Sequence, residues 1–198
     1  MPLIRTCIIL LGLSLALPLH AQTAPPDTAS LRISSEGVPR ASALVDSVFV
    51  DRLLHQATID GGDFTAYLMA RLGVRDLPTD LGYRVTIDTS LIRIGGRIGD
   101  LPPEARMALA QLVMVFPADT RLEAQVELLP AGKQAVRFHL RSATVQGVPI
   151  PEALFAPLMS DIGRRYPALT ATGRDLYVQV PAGARVQLVP AGVALTGP

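Results

Sequence analysis

Outside its first residues this chain offers chemistry two histidines, a scatter of carboxylates and no cysteine. His139 sits in Arg137-Phe138-His139-Leu140-Arg141, where polar and apolar residues alternate, so it reads as a solvent-side strand residue between arginines and not as a catalytic base. His55 has no acid or nucleophile at a recognisable spacing. The Gly-x-Ser-x-Gly turn that exposes a nucleophilic serine is absent, as is the His-Glu-x-x-His spacing that would put two zinc ligands on one helical face. Asp60-Gly61-Gly62-Asp63 invites a calcium reading, but a calcium loop supplies about six to eight oxygens at set offsets. Two carboxylates around two glycines fit a turn with a helix cap better, Asp63 being the expected N-cap. Asp76 and Asp80 lie in a proline-containing loop and read as solvated. A hydrolase built from such dispersed acids stays open as a third reading. The expectation is no enzymatic activity, no catalytic residue, no metal and no cofactor.

The elements that would position any site are clearest between 120 and 166. Leu122, Ala124, Val126 and Leu128 alternate with Arg121, Glu123, Gln125 and Glu127, and Val136, Phe138 and Leu140 alternate with Arg137, His139 and Arg141. A hairpin turning at Ala131-Gly132-Lys133 would set Glu127 opposite Arg137, Gln125 opposite His139 and Glu123 opposite Arg141, with Leu128 facing Val136 and Val126 facing Phe138. Gly147-Val148-Pro149-Ile150-Pro151 then leads into a helix over 151–165, with Pro157 kinking it. Upstream, Phe64, Tyr67, Leu68 and Leu72 predict a helix over 63–72 stopped by Gly73. Tyr83, Val85 and Ile87 pair with Ile92, Ile94 and Ile98, where Gly95-Gly96 predicts a bulge or sharp bend. A helix over 102–115 carries Leu109, Leu112, Val113 and Phe116 on one stripe, and Met107, Met114 and Val115 off it. Short strands are expected at 31–34 and 44–50, another near Ala57-Thr58-Ile59, and closing strands through Leu176–Val180 and Val186–Leu188. Pro-Ala-Gly at 130–132, 181–183 and 190–192 reads as hairpin punctuation.

Composition removes several function classes. Arg5 followed by the apolar run Cys7–Leu17 reads as a secretory signal peptide ending at Ala21, the run falling short of the roughly 20 apolar residues of a membrane span. An uncleaved N-terminal anchor is the alternative. Removing Arg5 from the 18 Lys and Arg leaves 17 against 17 Asp and Glu, a balance that argues against nucleic acid. Tryptophan is absent and aromatics are 5%, which leaves little for stacking on sugars or bases. Lys133 is the only lysine. The expected organisation is a signal peptide over 1–21, a flexible leader over 22–42 and one α+β domain over 43–198, with a mainly antiparallel twisted sheet and three helices packed on it.

Ile59-Asp60-Gly61-Gly62-Asp63-Phe64 and Val145-Gln146-Gly147-Val148-Pro149-Ile150-Pro151, in this element order behind an export signal, resemble the LmeA-like exported phospholipid-binding proteins and, more distantly, tubular lipid-binding (TULIP-type) domains. The resemblance implies a twisted sheet wrapped around helices, with an apolar groove for acyl chains and no catalytic residues. Together with the excess of apolar surface on the second and third helices, it makes Met107, Met114, Phe116, Phe155 and Met159 the candidate ligand-lining residues. The leading expectation is a periplasmic or secreted module that binds lipid or another apolar small molecule, without a transmembrane span in the mature chain. The alternative is a structural or assembly protein of the cell envelope, whose apolar helix faces meet a protein partner.

Overall fold

The computed structural model describes residues 30–74, 76–154, 160 and 169–198. The chain is α+β, with one eight-stranded antiparallel sheet, a second of three strands, and helices between them. In the large sheet the order is β1 (Leu31–Arg32), β3 (Arg84–Ile87), β4 (Leu91–Arg97), β5 (Arg121–Pro130), β6 (Ala135–Val145), β9 (Asp175–Gln179) and β8 (Leu169–Thr172), with β7 (Val148–Pro149) also paired to β6. The small sheet is β10 (Arg185–Val189), β11 (Gly192–Thr196) and β2 (Gln56–Asp60). The expected hairpins over 83–98 and 121–145 and the closing strands are present.

The expected strand at 44–50 is instead the end of a helix, α1 (Gly37–Phe49). Leu44-Val45 and Val48-Phe49 recur four residues apart and extend back through Ala41 and Val38, a helical period and not an alternation of two. Ala41 and Val48 are buried, and Val38, Leu44, Val45 and Phe49 pack against the core. β1 and the first turns of α1 thus fall within 22–42, the span expected to be a flexible leader.

The second helix, α2, runs Gly61–Arg71, and its N-cap is Asp60, not Asp63. The Asp60 carboxylate accepts from the amides of Gly62 at 2.8 Å and Asp63 at 3.3 Å. Asp63, one turn in, accepts from Arg40 on α1 through Nε at 2.8 Å and a terminal nitrogen at 2.7 Å, clasping the two helices. Gly73 ends the helix as expected, with φ of 84°. Both carboxylates of the Asp-Gly-Gly-Asp turn are therefore engaged by the fold itself.

The predicted helix over 102–115 is two short ones, α3 (Pro103–Ala108) and α4 (Ala110–Val115), meeting at Leu109. Residues 152–154 are helical, and the rest of the third predicted helix, apart from residue 160, lies outside the described residues. Gly95-Gly96 makes no bulge, since β4 keeps register with β5 through both and with β3 as far as Gly95. Instead the Tyr83 ring lies where a Cβ on Gly96 would be, 2.6 Å from its ring atoms. The Tyr83 hydroxyl donates to the Arg97 carbonyl at 2.9 Å, and burial, with Asp100 nearby, pushes this phenol above its ordinary range.

The long hairpin departs from its expected register. Glu127 faces His139 and Leu128 faces Phe138, a slide of two positions that keeps every side chain on its face. The turn is one residue further on than expected: Ala131 donates to the Ala135 carbonyl at 3.0 Å, and Gly132 takes φ of 77°. A bulge between Gln125 and Val126 then sets Gln125 opposite Ser142 and Glu123 opposite Thr144. Of the expected ion pairs none forms in register; Glu127 instead accepts from Arg141 diagonally at 2.8 Å.

Between β3 and β4, Asp88 accepts from the Ser90 amide and hydroxyl, the Leu91 amide and the Arg93 guanidinium at 2.7–2.9 Å. Burial works against its charge, but these donors together hold the carboxyl well below the usual carboxylate range. Asp88→Ala is expected to lower stability at neutral pH by about 1–3 kcal/mol. A depressed folded-state pKa gives stability that is present above the unfolded value and lost as pH falls toward the folded one. The gap between wild type and variant should therefore narrow below about pH 4. Urea denaturation at pH 7 and in the acid range checks both statements.

The core lies between the inner face of the large sheet, α1 and α2, and the small sheet. Val85, Ile87, Val136 and Phe138 come from the first, Val48 and Phe64 from the helices, and Ile59, Leu188, Val193 and Leu195 from the last.

Candidate functional site

The chain leaves the large sheet after β9 and joins the small one at β10, crossing at Pro181-Ala182-Gly183. Of the three Pro-Ala-Gly segments this one is an inter-sheet crossing and not hairpin punctuation. β10 is an edge strand, so the tip of the β5–β6 hairpin and β10 are not hydrogen-bonded to one another. Between them lies a cleft of about 720 Å³. Leu128, Val136, Val180, Val186 and Leu188 form its apolar lining, and Lys133, Arg185, Gln187 and Thr89 are its polar members.

Val136, Val180 and Val186 also line a smaller cavity of about 110 Å³ that reaches under the helices. Its other walls include Val45 and Phe49 of α1, Phe64, Tyr67 and Leu68 of α2, and Phe138 of β6. Phe64 and Phe138 stack there with ring centroids 6.3 Å apart. Alternation explains which residues point inward, since Val136 and Phe138 share one face of β6, and Val178 and Val180 continue it from β9. The cavity is of the order of the roughly 150 Å³ void that holds benzene in an engineered protein, and the cleft is within the ~300–1,000 Å³ of small-molecule sites.

The electrostatics of the cleft differ from those of the other large concavity, a groove of about 590 Å³ on the outer face of β3, β4 and β5. In that groove Arg84, Arg93, Arg97 and Arg121 are held by Asp80, Asp88, Asp100 and Glu123 at 2.7–3.0 Å. The cleft has two cations, Lys133 and Arg185, and no acid among its lining residues. Among the described residues neither cation makes an ion pair or a side-chain hydrogen bond.

Of the residues singled out from the sequence, Met107, Met114 and Phe116 do not line this cleft. Met107 and Met114 are 71% and 80% exposed, on α3 and α4. Phe116 is partly buried against the edge of the core, together with Leu109 and Val113. Phe155 and Met159 lie outside the described residues. The cleft residues missed were Val136, Val180, Arg185 and Val186; a solitary lysine beside a turn glycine was the one local signal, and it pointed to no ligand.

Elsewhere several titratable groups are committed to the fold. His139 Nδ1 lies 2.8 Å from Asp175, which also pairs with Arg137 at 3.8 Å, on the outer face of the sheet. Asp80 is lowered by the hydrogen bond from Arg84 and then by the Gly82 amide. Among the described residues no three His, Cys, Asp or Glu side chains gather in a way that could hold a metal ion, and no helix is long and apolar enough to cross a membrane. No family model matches the chain, and no curated protein or solved structure matches it either.

Proposed function

We propose that this chain is an exported, non-catalytic module that binds a lipid or another apolar small molecule in the cleft between the β5–β6 tip and β10. The observation that carries the reading is that Val136, Val180 and Val186 line both that cleft and the cavity beneath α1 and α2, so the two lie side by side across apolar side chains. An apolar chain laid along those valines removes their surface and its own from water, about 0.8 kcal/mol for each methylene buried. Helices clasped by Arg40 and Asp63 form a fixed roof, so little ordering opposes binding. The N-terminal signal sequence and the resemblance to exported lipid-binding proteins favour the same reading.

Mass spectrometry of an organic extract of the purified chain is the direct test. Recovery of a stoichiometric apolar compound, or saturable uptake of a fluorescent fatty acid by the stripped protein, is the expected result. If extraction yields nothing and no such probe binds, the reading fails.

The second reading is an envelope assembly protein, favoured by the exposure of Met107, Met114 and Val115 on α3 and α4. A stable oligomer that carries no lipid, measured by light scattering and extraction together, would put it first.

A further inference from the structure

We propose that the ligand of the cleft is an anionic single-chain amphiphile, with its carboxylate between Lys133 and Arg185 and its tail laid over Val136, Val180 and Val186 toward the inner cavity. This rests on the binding reading above and adds the charge and the shape of the ligand. Three observations carry it. First, both cations line one cleft, and neither has a partner among the described residues, whereas the arginines of the outer groove are each held by a carboxylate. Arg185 is on a strand, and the other described strand arginines each lie within 4 Å of a carboxylate. Second, the cleft lining contains no acid that would repel an anion or compete for those cations. Third, the floor is apolar and three of its valines also line the inner cavity, so a small inorganic anion would leave most of the cleft's apolar surface wet.

The inner cavity limits the tail. At about 110 Å³ it has room for the end of one chain and not two, so a single-chain ligand is enough to fill it. Arg185 can meet a carboxylate with two parallel N–H donors, while Lys133, at the hairpin tip beside Gly132, supplies a mobile point charge. The cleft presents no aromatic side chain, which removes the stacking that a nucleotide or sugar site would use.

The test compares oleate, oleyl alcohol and acetate on the full chain at low ionic strength, below the critical micelle concentration of oleate. It uses wild type and a Lys133→Ala/Arg185→Ala double variant, and both positions are exposed. Oleate is expected to bind wild type about ten-fold or more tighter than the alcohol, and the preference should fall below about two-fold in the double variant and in high salt. Acetate should not displace oleate at millimolar concentration. If the alcohol binds wild type as tightly as oleate, or the preference survives in the double variant, the headgroup assignment is wrong and apolar binding still stands. Displacement by acetate would make this a free-anion site and overturn the amphiphile. If neither long-chain probe binds wild type, both this inference and the binding reading fall.

Discussion

Gly62→Ala should destabilise the protein by about 3 kcal/mol or more, although alanine is the better helix former by about 1 kcal/mol in a helix interior. The position lies in the first turn of α2, and its φ is not in the left-handed region. Propensity alone therefore predicts a gain. Against it stands the Arg32 carbonyl of β1, whose oxygen would be 2.0 Å from the new methyl carbon. That atom is backbone and cannot rotate away, so β1 or the start of α2 must move. Moving β1 disturbs its pairing with β3 at Leu31 and Val85 and the neighbouring Ile33, which is fully buried. Gly132→Ala is the contrast, because nothing lies within 4 Å of its methyl and only the φ of 77° opposes it. That change should cost about 1 kcal/mol. Urea denaturation of both variants separates crowding from backbone strain. A neutral or stabilised Gly62→Ala protein would mean that β1 does not press on the helix start.

The same glycines show where the sequence was legible. Asp-Gly-Gly-Asp announced a turn and a capped helix; the capped helix is there, because capping is a local property, but β2 runs straight into it and both glycines are helical. Which aspartate caps was not legible. Asp60 and Asp63 are chemically equivalent, and the choice is made by Arg40, which lies 23 residues upstream of Asp63 and binds it. The hairpins were legible from alternation alone. Their register was not, since a slide by two positions preserves the faces and so leaves the pattern unchanged. Helix α1 is not legible from Leu44-Val45 and Val48-Phe49 alone, which fit a strand equally well until the residues ahead of them are included. The candidate site was least legible. Alternation says that Val136 and Val186 face inward, but not whether what they face is filled. That depends on how far two sheets stand apart where residues 180–184 cross between them, and no periodicity encodes that distance. Methionine content pointed to α3 and α4, where the exposed side chains lie away from the cavity walls.

Val186→Trp is the substitution expected to change binding most. Val186 is half-buried on β10 and borders both the cleft and the inner cavity, so an indole there has a void to occupy. Stability should change by less than about 1 kcal/mol, since filling space gains contacts where overpacking would lose them. Uptake of a long-chain probe should weaken about 100-fold, because excluding three or four methylenes from the cavity removes roughly 3 kcal/mol of burial. Two comparisons make the result decisive. Val193→Trp places the same bulk on β11 at a fully buried position in the solid part of the core, where it should cost about 1–3 kcal/mol or more. Met114→Trp adds it on exposed α4, where neither stability nor uptake should move if the cleft is the site. Equal destabilisation by Val186→Trp and Val193→Trp would mean that the space beneath the helices is close-packed and that the cleft leads nowhere. Loss of uptake in Met114→Trp, with Val186→Trp unaffected, would return the ligand to the methionine face of α3 and α4.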